Sequence, residues 1–595
     1  MLVMKDFLKY MFATVAGIFV FLIIMGVLGM MSLVGMLASS DSTTTVKENS
    51  VMVLQLDGIM SERSEDDLMG KMVGQVSSSI GLEDVLNAIK KAKENDAIKG
   101  IYIESGLFDG DTPASMQALR KALVDFKKSG KWIVAYGDQY TQGNYYIASV
   151  ADKVWMNPQG MVDWHGLASE PYFLKDLMAK FGVKIQLAKV GAYKSAPEMY
   201  TADQMSDNNR EQVTAYITGI WNNMLDEVSA SRKINKDSLN AYADRILILE
   251  NPENLVKFKM VDKLLYNDEV KVEVKKLLGL DEKESISQLS IEQMKNVKEK
   301  KSKGDQIAVY YAYGDIVDQE EAGIMSSGSS IVGNKVNRDL EKLMDDDDVK
   351  AVVLRVNSGG GSAYASEQIW HAVKKLKEKK PVVVSMGGMA ASGGYYISCE
   401  ANWIVAEPTT LTGSIGIFGM FPDFSQLLTQ KLGVKFDEVK TNKNSNFGTM
   451  SRPFNEEEMS YLNMYIQRGY ELFRKRVADG RKLPVDAVEK VAQGHVWLGQ
   501  DALKIKLVDQ LGGLDEAVKK AAELAKVEEY YTDSYPAKAD FMDTLLKASG
   551  EAGDNYLNSQ LRATLGEYYE PFMLMKKLDK QNAIQARVPF YFNIK

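Results

Sequence analysis

Ser392 is a residue whose type and sequence context suggest a role in catalysis. It follows the apolar run PVVVSMGG and precedes GGYYIS, a pattern that predicts a strand turning sharply into a helix. A serine on such a turn projects its hydroxyl, and the glycines that follow it allow backbone N–H groups to approach a reacting carbonyl. The helix N-terminus also favours developing negative charge. Taken alone, the segment is more typical of a tight helix start with a capping serine.

A second glycine-rich turn, RVNSGGGSA at Arg355–Ala363, also follows an apolar run. A turn of this kind that opens onto a helix can donate N–H groups to a phosphate or to an oxyanion. Because it lacks the GK[ST] ending of a nucleotide-binding loop, nucleotide binding is only weakly indicated.

A nucleophilic serine needs a base. The histidines lie in a turn (His165), on an amphipathic helix (His371) and far downstream (His495), settings that are more typical of structural residues. Lys194, in KVGAYKSAPEMY, is flanked by small and apolar residues. A lysine acts as a base if burial lowers its pKa from about 10.4 to about 7–8. Taken alone, Lys194 also fits an ordinary surface lysine.

The serine-bearing segment has an imperfect copy earlier in the chain that lacks the serine. The copies are related by an offset of 250 positions, as between Tyr145 and Tyr395, and Gln142 stands where Ser392 would be expected. Two further pairs of segments repeat at offsets of 250 or 251: Ala97–Gly106 with Asp348–Asn357, and Val154–Gly166 with Ile404–Gly416. A nearly constant offset through three blocks indicates two homologous domains.

The offset also shows that the two copies have lost different residues. Applied to Lys194, it leads to Asn444 or Ser445, so the copy that keeps the serine has no lysine. The copy that keeps the lysine has Gln142 in place of the serine. These complementary losses predict a single site to which each half contributes one residue.

Each copy alternates apolar strand patterns with amphipathic helix patterns, which predicts tandem α/β domains with parallel sheets. The glycine-rich turns then fall at the carboxyl ends of strands, where open α/β folds bind ligands. The charge-dense segment around Asp281–Asp305 is the natural boundary between copies. We therefore predict an N-terminal repeat at 38–302, a C-terminal repeat at 303–535 and a helical tail at 536–595.

The N-terminal segment 11–37 is uncharged and mostly apolar, longer than the roughly 20 residues that span a bilayer. Lys5 and Lys9 precede it and Asp41 follows it, so the positive-inside rule places residues 1–10 in the cytoplasm and the rest of the chain outside. The apolar run is longer than that of a signal peptide, which favours an uncleaved transmembrane anchor. The sequence MLASSDS at its end leaves a cleaved leader as the alternative.

The composition excludes several other classes of function. With 595 residues the chain is long enough for more than one domain, and its net charge of −8 gives no basic surface for nucleic acid. Its one cysteine, Cys399, excludes an internal disulfide framework, and its histidines are too far apart to suggest a metal site.

The motifs RVNSGGGS, MAASGGYYIS and LTGSIGIFG, with GAYKSAPE in the preceding half and GHVWLGQDA downstream, resemble the signal peptide peptidase A (protease IV) family in its long, duplicated bacterial form. The resemblance implies two tandem domains of the ClpP/crotonase-like fold. It also implies Ser392 as the nucleophile, Lys194 as the general base and Ser414 as a residue that orients the lysine. Gly361 and Gly393 would then donate N–H groups to the oxyanion.

The resemblance further implies a serine endopeptidase (a hydrolase) that works through an acyl-enzyme, without metal or cofactor. Its substrates would be cleaved signal peptides and other apolar peptides, and its assembly a homotetramer. It would be tethered to the bacterial cytoplasmic (inner) membrane with its catalytic domain on the periplasmic side. One departure is Gly359, where the family usually has proline; glycine is less constrained in the unfolded chain.

Two alternatives from other classes remain open. One is a catalytically quiet, membrane-bound scaffold or chaperone on the same fold, which the presence of both Ser392 and Lys194 disfavours. The other is an acyl-thioester enzyme of the crotonase type, which explains neither the serine–lysine pair nor the outward topology.

Overall fold

The computed structural model describes residues 14, 17–21, 24–25, 43–64, 79–298, 304–319, 329–537 and 584–587. The predicted membrane anchor, 11–37, lies mostly outside these ranges, and the predicted cytoplasmic residues 1–10 lie entirely outside them. Within the ranges, no helix is long and apolar enough to cross a bilayer.

The N-terminal half is an α/β unit. Its strands are β1 (Ser50–Ser61), β2 (Ser79–Gly81), β3 (Ile98–Asp109), β4 (Trp132–Tyr140), β5 (Lys153–Val162), β6 (Lys184–Val190), β7 (Lys263–Leu264) and β8 (Gln288–Leu289). Its helices are α1 (Leu82–Glu94), α2 (Pro113–Lys127), α3 (Gln142–Ala148), α4 (Lys175–Lys180), α5 (Glu198–Thr201), α6 (Asp207–Arg232), α7 (Lys236–Ala243), α8 (Pro252–Lys257), α9 (Asn267–Leu278) and α10 (Ile291–Lys295), with a 3₁₀ turn at Leu247–Leu249. The described strands other than β6 form a parallel sheet in the order β2-β1-β3-β4-β5-β7, with β8 also beside β1.

The C-terminal half repeats this pattern. Its strands are β9 (Asp305–Tyr313), β10 (Asp315–Val317), β11 (Ser330–Val332), β12 (Val349–Ser358), β13 (Gly360–Ser362), β14 (Val382–Ala391), β15 (Trp403–Ala406), β16 (Leu411–Gly413), β17 (Ile417–Asp423), β18 (Val496–Leu498), β19 (Gln510–Leu511), β20 (Tyr530–Tyr535) and β21 (Ile584–Arg587). Its helices are α11 (Gly333–Asp345), α12 (Ala363–Lys379), α13 (Gly393–Ser398), α14 (Glu456–Arg481), α15 (Val485–Val491), α16 (Gly499–Lys504) and α17 (Leu514–Ala525), with a π-helical turn at Leu427–Lys431. Its main sheet has the order β18-β16-β14-β12-β9-β20, with β15 beside β14 and β19 beside β15. The predicted α/β class is confirmed.

The helices that follow the glycine-rich turns begin where the sequence supplies caps. Ser362 accepts a hydrogen bond from Ala365 N–H at 3.1 Å, which satisfies one free donor at the start of α12. Thr112 caps α2 in the same way, and Pro113 occupies its first turn, where no N–H is needed. These caps fix the points at which the chain leaves each sheet.

The two halves share buried surface. The hydrophobic core of the N-terminal half includes Ala391, Leu411, Val496 and Leu498 from the C-terminal half. A third sheet, β11-β10-β13-β21-β17-β6, also joins them, because β6 pairs antiparallel with β17. This sheet brings the chain segment after β6 close to the carboxyl end of β14.

The tail at 536–595 is predicted to be helical, and its described part differs. Ile584–Arg587 form the strand β21, and both edges of this strand are paired, with β13 and with β17. The wrong prediction for these four residues has a physical reason: the sequence IQAR has no strand signature of its own, and long-range pairing decides its conformation. Residues 538–583 and 588–595 lie outside the described residues.

Candidate active site

Ser392 forms the turn between two elements, because β14 ends at Ala391 and α13 begins at Gly393. Its φ of 56° and ψ of −114° lie in a region that non-glycine residues rarely adopt, at a cost of about 1–3 kcal/mol. Ser392 N–H donates to Gly413 O at 2.8 Å, and Tyr396 N–H donates to Ser392 O at 2.8 Å. The strained turn therefore holds the hydroxyl in one direction, and the whole residue is buried.

Lys194 enters this site from the loop that follows β6. Its Nζ lies 2.7 Å from Ser392 Oγ, 3.0 Å from Ser414 Oγ and 3.1 Å from Ser414 O. The side chain is completely buried. The structure thus brings together the serine of one half and the lysine of the other, together with Ser414.

Burial lowers the pKa of Lys194 well below its usual value. Desolvation disfavours the ammonium form, and among the described residues no carboxylate hydrogen-bonds to this amine. A neutral amine has two N–H donors and one lone pair. With the two N–H groups directed to Ser414 O and Ser414 Oγ, the lone pair is left for the hydroxyl proton of Ser392, so a neutral Lys194 has the geometry of a general base.

Two glycines make room for the lysine, and the motif pattern had given no reason for either. Gly494 has φ +80°, and a Cβ added to it would lie 2.6–2.7 Å from the N, Cα and Cβ atoms of Lys194. A Cβ added to Gly416 would lie 3.3 Å from Lys194 Cδ. Real Cβ atoms do not approach other atoms as closely as the contact at Gly494, so only glycine permits the observed path of the lysine there.

Gln212 is a further residue of the site that the sequence did not reveal. It is completely buried, and its Nε2 donates to Tyr193 O at 3.1 Å and to Ser195 Oγ at 3.0 Å. Its Oε1 accepts from Val496 N–H at 3.1 Å. The amide therefore holds the residues on both sides of Lys194 and ties them to the C-terminal half. A lone glutamine in a helix pattern carries no signal for this role.

Ser414 is held by the chain segment that precedes β18. Its φ is 49°, and its N–H donates to His495 O at 2.7 Å. The His495 ring stacks on Trp497 at a centroid distance of 3.9 Å and contacts Tyr193 at 4.4 Å. The backbone of His495 positions Ser414, and its ring packs between aromatic side chains. This agrees with the structural role expected for the histidines.

The glycine-rich turn lies directly against the serine turn. A Cβ added to Gly360 would lie 2.7 Å from Gly393 N, and Gly360 N–H itself donates to Ser358 Oγ at 3.1 Å. Gly361 follows in β13 with φ +156°. Gly359 is not among the positive-φ residues, so the backbone at this position does not require glycine.

The corresponding position in the N-terminal half is closed. Gln142 is completely buried, and its Oε1 accepts from His165 N–H at 3.0 Å and from Gly166 N–H at 2.9 Å. Its Nε2 donates to Gly166 O at 2.9 Å. Asn444 and Ser445, the counterparts of the lysine, lie in an exposed segment of the other half. Among the described residues, no cluster of three or more His, Cys, Asp or Glu side chains could hold a metal ion.

Most of the chain is similar to known proteins. A sequence model of Peptidase family S49 matches residues 125–281 and 374–528, one stretch in each half, and a model of Clp protease matches residues 303–404. Protease 4 of Salmonella typhi is 36% identical over 583 residues, which covers 96% of this chain and 91% of the relative. The chloroplastic serine protease SPPA of Arabidopsis thaliana is 30% identical over 489 residues, covering 81% of this chain and 70% of the relative. Among solved structures, a ClpP1 mutant from Listeria monocytogenes overlaps 35% of this chain and 94% of its own, with a TM-score of 0.24 and 16% identity.

Proposed function

Because this chain belongs to peptidase family S49, and is therefore a serine protease, we propose that it cleaves peptide bonds with a Ser392–Lys194 dyad. The observation that carries the proposal is the 2.7 Å contact between Lys194 Nζ and Ser392 Oγ in a fully buried site. Burial, which lowers the pKa of Lys194, favours the neutral amine that a base requires.

In the proposed mechanism, the hydroxyl of Ser392 gives its proton to the neutral amine of Lys194 while Oγ attacks the carbonyl carbon of the substrate. The N–H groups of Gly361 and Gly393 donate to the oxyanion of the tetrahedral intermediate. The Lys194 ammonium then protonates the departing amine, and an acyl-enzyme remains on Ser392. Lys194 next accepts a proton from the water that hydrolyses this ester.

Ser414 is proposed to orient the lysine through both of its oxygens. When Lys194 holds the extra proton, Ser414 O and Ser414 Oγ still accept two of its three N–H groups, at 3.1 and 3.0 Å. These contacts support the transient ammonium in a place where no carboxylate among the described residues pairs with it. The third N–H faces Ser392 Oγ and the departing group.

The proposal extends to the setting of the enzyme. We propose that residues 11–37 anchor the chain in the bacterial cytoplasmic membrane, with the catalytic part on the periplasmic side. The lysine-bearing repeat at 38–302 and the serine-bearing repeat at 303–535 would assemble as a homotetramer. Cleaved signal peptides and other apolar peptides are the proposed substrates, an inference supported by the apolar N-terminal run and by the bacterial relative named Protease 4.

The test uses the full chain in detergent with an apolar fluorogenic peptide. We expect Ser392→Ala and Lys194→Ala each to lower kcat by about 10⁵-fold or more, because the members of such a unit act together. Lys189→Ala, which changes an exposed lysine on β6 beside the site, is the matched control and should keep wild-type turnover. Wild-type turnover in both dyad variants would show the assignment to be wrong, and peptide binding without turnover in the wild type would favour the scaffold.

A further inference from the structure

Glu198 is a buried carboxylate that lies close to Lys194 in the sequence and does not hydrogen-bond to it. Its Oε1 accepts from Ser206 Oγ at 2.6 Å, and its Oε2 accepts from Ser206 N–H at 3.2 Å and from Asn209 Nδ2 at 3.0 Å. Ser206 is the N-cap of α6, where the helix dipole favours negative charge. A carboxylate paired with Lys194 would favour the ammonium form. Glu198 instead binds the start of α6.

Glu198 fixes the direction of a line of hydrogen bonds that leads to the lysine. A carboxylate only accepts hydrogen bonds, so Asn209 turns its Nδ2 toward Glu198. Asn209 Oδ1 is then left to accept from Gln212 Nε2, at 3.2 Å. The same Nε2 donates to the residues on both sides of Lys194. Three side chains therefore connect the N-terminus of α6 to the loop that carries the lysine.

The other end of this line lies on the strand pair that supports the serine. Gln212 Oε1 accepts from Val496 N–H in β18 at 3.1 Å. Val496 stands opposite Gly413 where β18 pairs with β16. Gly413 O in turn accepts from Ser392 N–H at 2.8 Å. One buried amide therefore joins the loop of Lys194 to the strands that hold Ser392.

The counterpart helix of the serine-bearing half does not carry this line. α6 and α14 are both 26 residues long, begin at a side-chain cap and end beside a lysine with left-handed φ. Asn209 and Gln212 are the third and sixth residues of α6. The residues at the same places in α14 are Glu458, which completes a capping box, and Tyr461, which is 51% exposed. The line is thus found in the copy that keeps the lysine.

We propose that Glu198, Asn209 and Gln212 form a positioning relay that holds Lys194 at hydrogen-bond distance from Ser392. The inference rests on the proposed function, because the position of the lysine has this meaning only if it is the base. The relay acts through the loop of the lysine and takes no part in proton transfer. Without it, the loop loosens and water reaches the amine, which reverses the desolvation of this group.

Gln212→Met in the full chain keeps the length of the side chain and removes the amide. A misplacement of the amine by about 1 Å costs about 10²-fold in rate, so we expect kcat about 10- to 10²-fold lower with KM unchanged. The pH midpoint of kcat/KM should rise by about one pH unit as water enters beside the amine. A fraction of unfolded protein would lower kcat without moving this midpoint.

Gln117→Met is the matched control for lost stability. Gln117 is also buried and also joins the two halves, because its Nε2 donates to Glu227 Oε1 at 2.8 Å and its Oε1 accepts from Thr409 Oγ1 at 3.0 Å. This variant should be destabilised and keep the wild-type pH midpoint. A loss of kcat that Gln117→Met shares with Gln212→Met, with no shift of the midpoint in either, would overturn the positioning role.

Two variants of Glu198 separate orientation from charge. In Glu198→Gln an acceptor oxygen still faces Asn209, and Ser206 Oγ can accept from the new amide, so kcat should stay within about threefold and the pH midpoint should not move. Glu198→Leu leaves Asn209 free to turn and should reproduce the losses of Gln212→Met. A pH midpoint that falls in Glu198→Gln would show that Glu198 acts on Lys194 through its charge, and would overturn the relay.

Urea unfolding separates this inference from the proposed function, because it requires no turnover. Burial lowers the pKa of Lys194 in the folded chain, so its contribution to the free energy of unfolding rises with pH from that lowered pKa to about 10.4. In Gln212→Met, measured against the double variant that also carries Lys194→Met, this rise should begin about one pH unit higher. That shift would support the hold on Lys194 even if Lys194→Ala kept wild-type turnover and the dyad were wrong. An unchanged rise, together with unchanged kcat in Gln212→Met and Glu198→Leu, would overturn the relay.

Discussion

Replacing Gly494 by alanine should displace Lys194 without changing any reacting group. The added methyl would lie 2.6–2.7 Å from three atoms of Lys194, and the φ of +80° is itself unfavourable for alanine. Gly130 has φ +81° and nothing within 4 Å of an added methyl, so Gly130→Ala carries the backbone strain without the collision. The pair of variants therefore isolates the effect of moving the lysine.

The magnitude follows from these distances. Carbon atoms in contact normally stay about 3.5–4.0 Å apart, so the backbone of Lys194 must retreat by about 1 Å. A misplacement of 1 Å costs about 10²-fold in rate. The left-handed φ adds about 1–2 kcal/mol of destabilisation in both variants, and the collision adds about 1–3 kcal/mol in Gly494→Ala alone.

The assay compares kcat/KM and urea unfolding of the two variants in detergent. We expect Gly494→Ala to lose about 10²-fold in kcat/KM relative to Gly130→Ala. If Gly494→Ala unfolds, Gly416→Ala serves instead, because its methyl would meet Lys194 Cδ at a milder 3.3 Å and should give a smaller loss. A folded Gly494→Ala within about threefold of Gly130→Ala would refute the claim that activity depends on the position of Lys194.

Four further predictions concern the same site and its support. Because burial places the folded-state pKa of Lys194 well below its usual value, kcat/KM should rise with pH through that lowered pKa. Between the lowered pKa of the folded state and the pKa of about 10.4 in the unfolded state, only the unfolded chain carries a proton on Lys194. The free energy of unfolding of the wild type should therefore rise with pH in this window relative to that of Lys194→Met, as measured by urea unfolding at several pH values. Ser414→Ala removes one of two acceptors for the amine, and a kcat about 10- to 10²-fold lower with KM unchanged is expected from the worth of a hydrogen bond to a charged group. The contacts of Arg355 with Glu62, at 2.9 and 3.1 Å, join the two halves. Glu62→Ala leaves the buried Arg355 charge without this carboxylate and should lower the free energy of unfolding by about 3–5 kcal/mol. An unchanged urea midpoint would contradict this.

The sequence predicted the family and the α/β class because both depend on local patterns and on motifs. It also pointed to Ser392 and Lys194, since the constant offset compares two copies of one fold and shows which residue each copy has lost. The structure places their side chains in contact across 198 positions of the chain.

The supporting residues could not be predicted because their roles depend on long-range contacts. Gln212 acts through a hydrogen bond to Val496, 284 positions away, and nothing near it in the sequence marks that partner. Gly494 is glycine because of the backbone of Lys194, which approaches it only in the folded chain. The strand β21 forms only because β13 and β17 offer it two edges, and its own four residues do not indicate a strand.

The N-terminal copy shows how a site of this kind is lost without harm to the fold. In the C-terminal half, Ser392 forms a strained turn. At the corresponding position of the N-terminal half, Gln142 has no positive φ and begins a helix. Thr141 caps this helix by accepting a hydrogen bond from Asn144 N–H. At the position that corresponds to Ser414, Trp164 is completely buried and donates to Leu239 O at 3.0 Å.

The replacement of Ser392 by Gln142 removes backbone strain, and the replacement of Ser414 by Trp164 removes a residue with positive φ. The C-terminal copy keeps the strained turn and holds Ser392 against a buried amine, an arrangement that lowers stability and is retained only where it has a use. We infer that Gln142 and Trp164 stabilise the N-terminal copy, which no longer has a nucleophilic serine. Introducing serine at position 142 alone would therefore restore neither the strained turn nor a base.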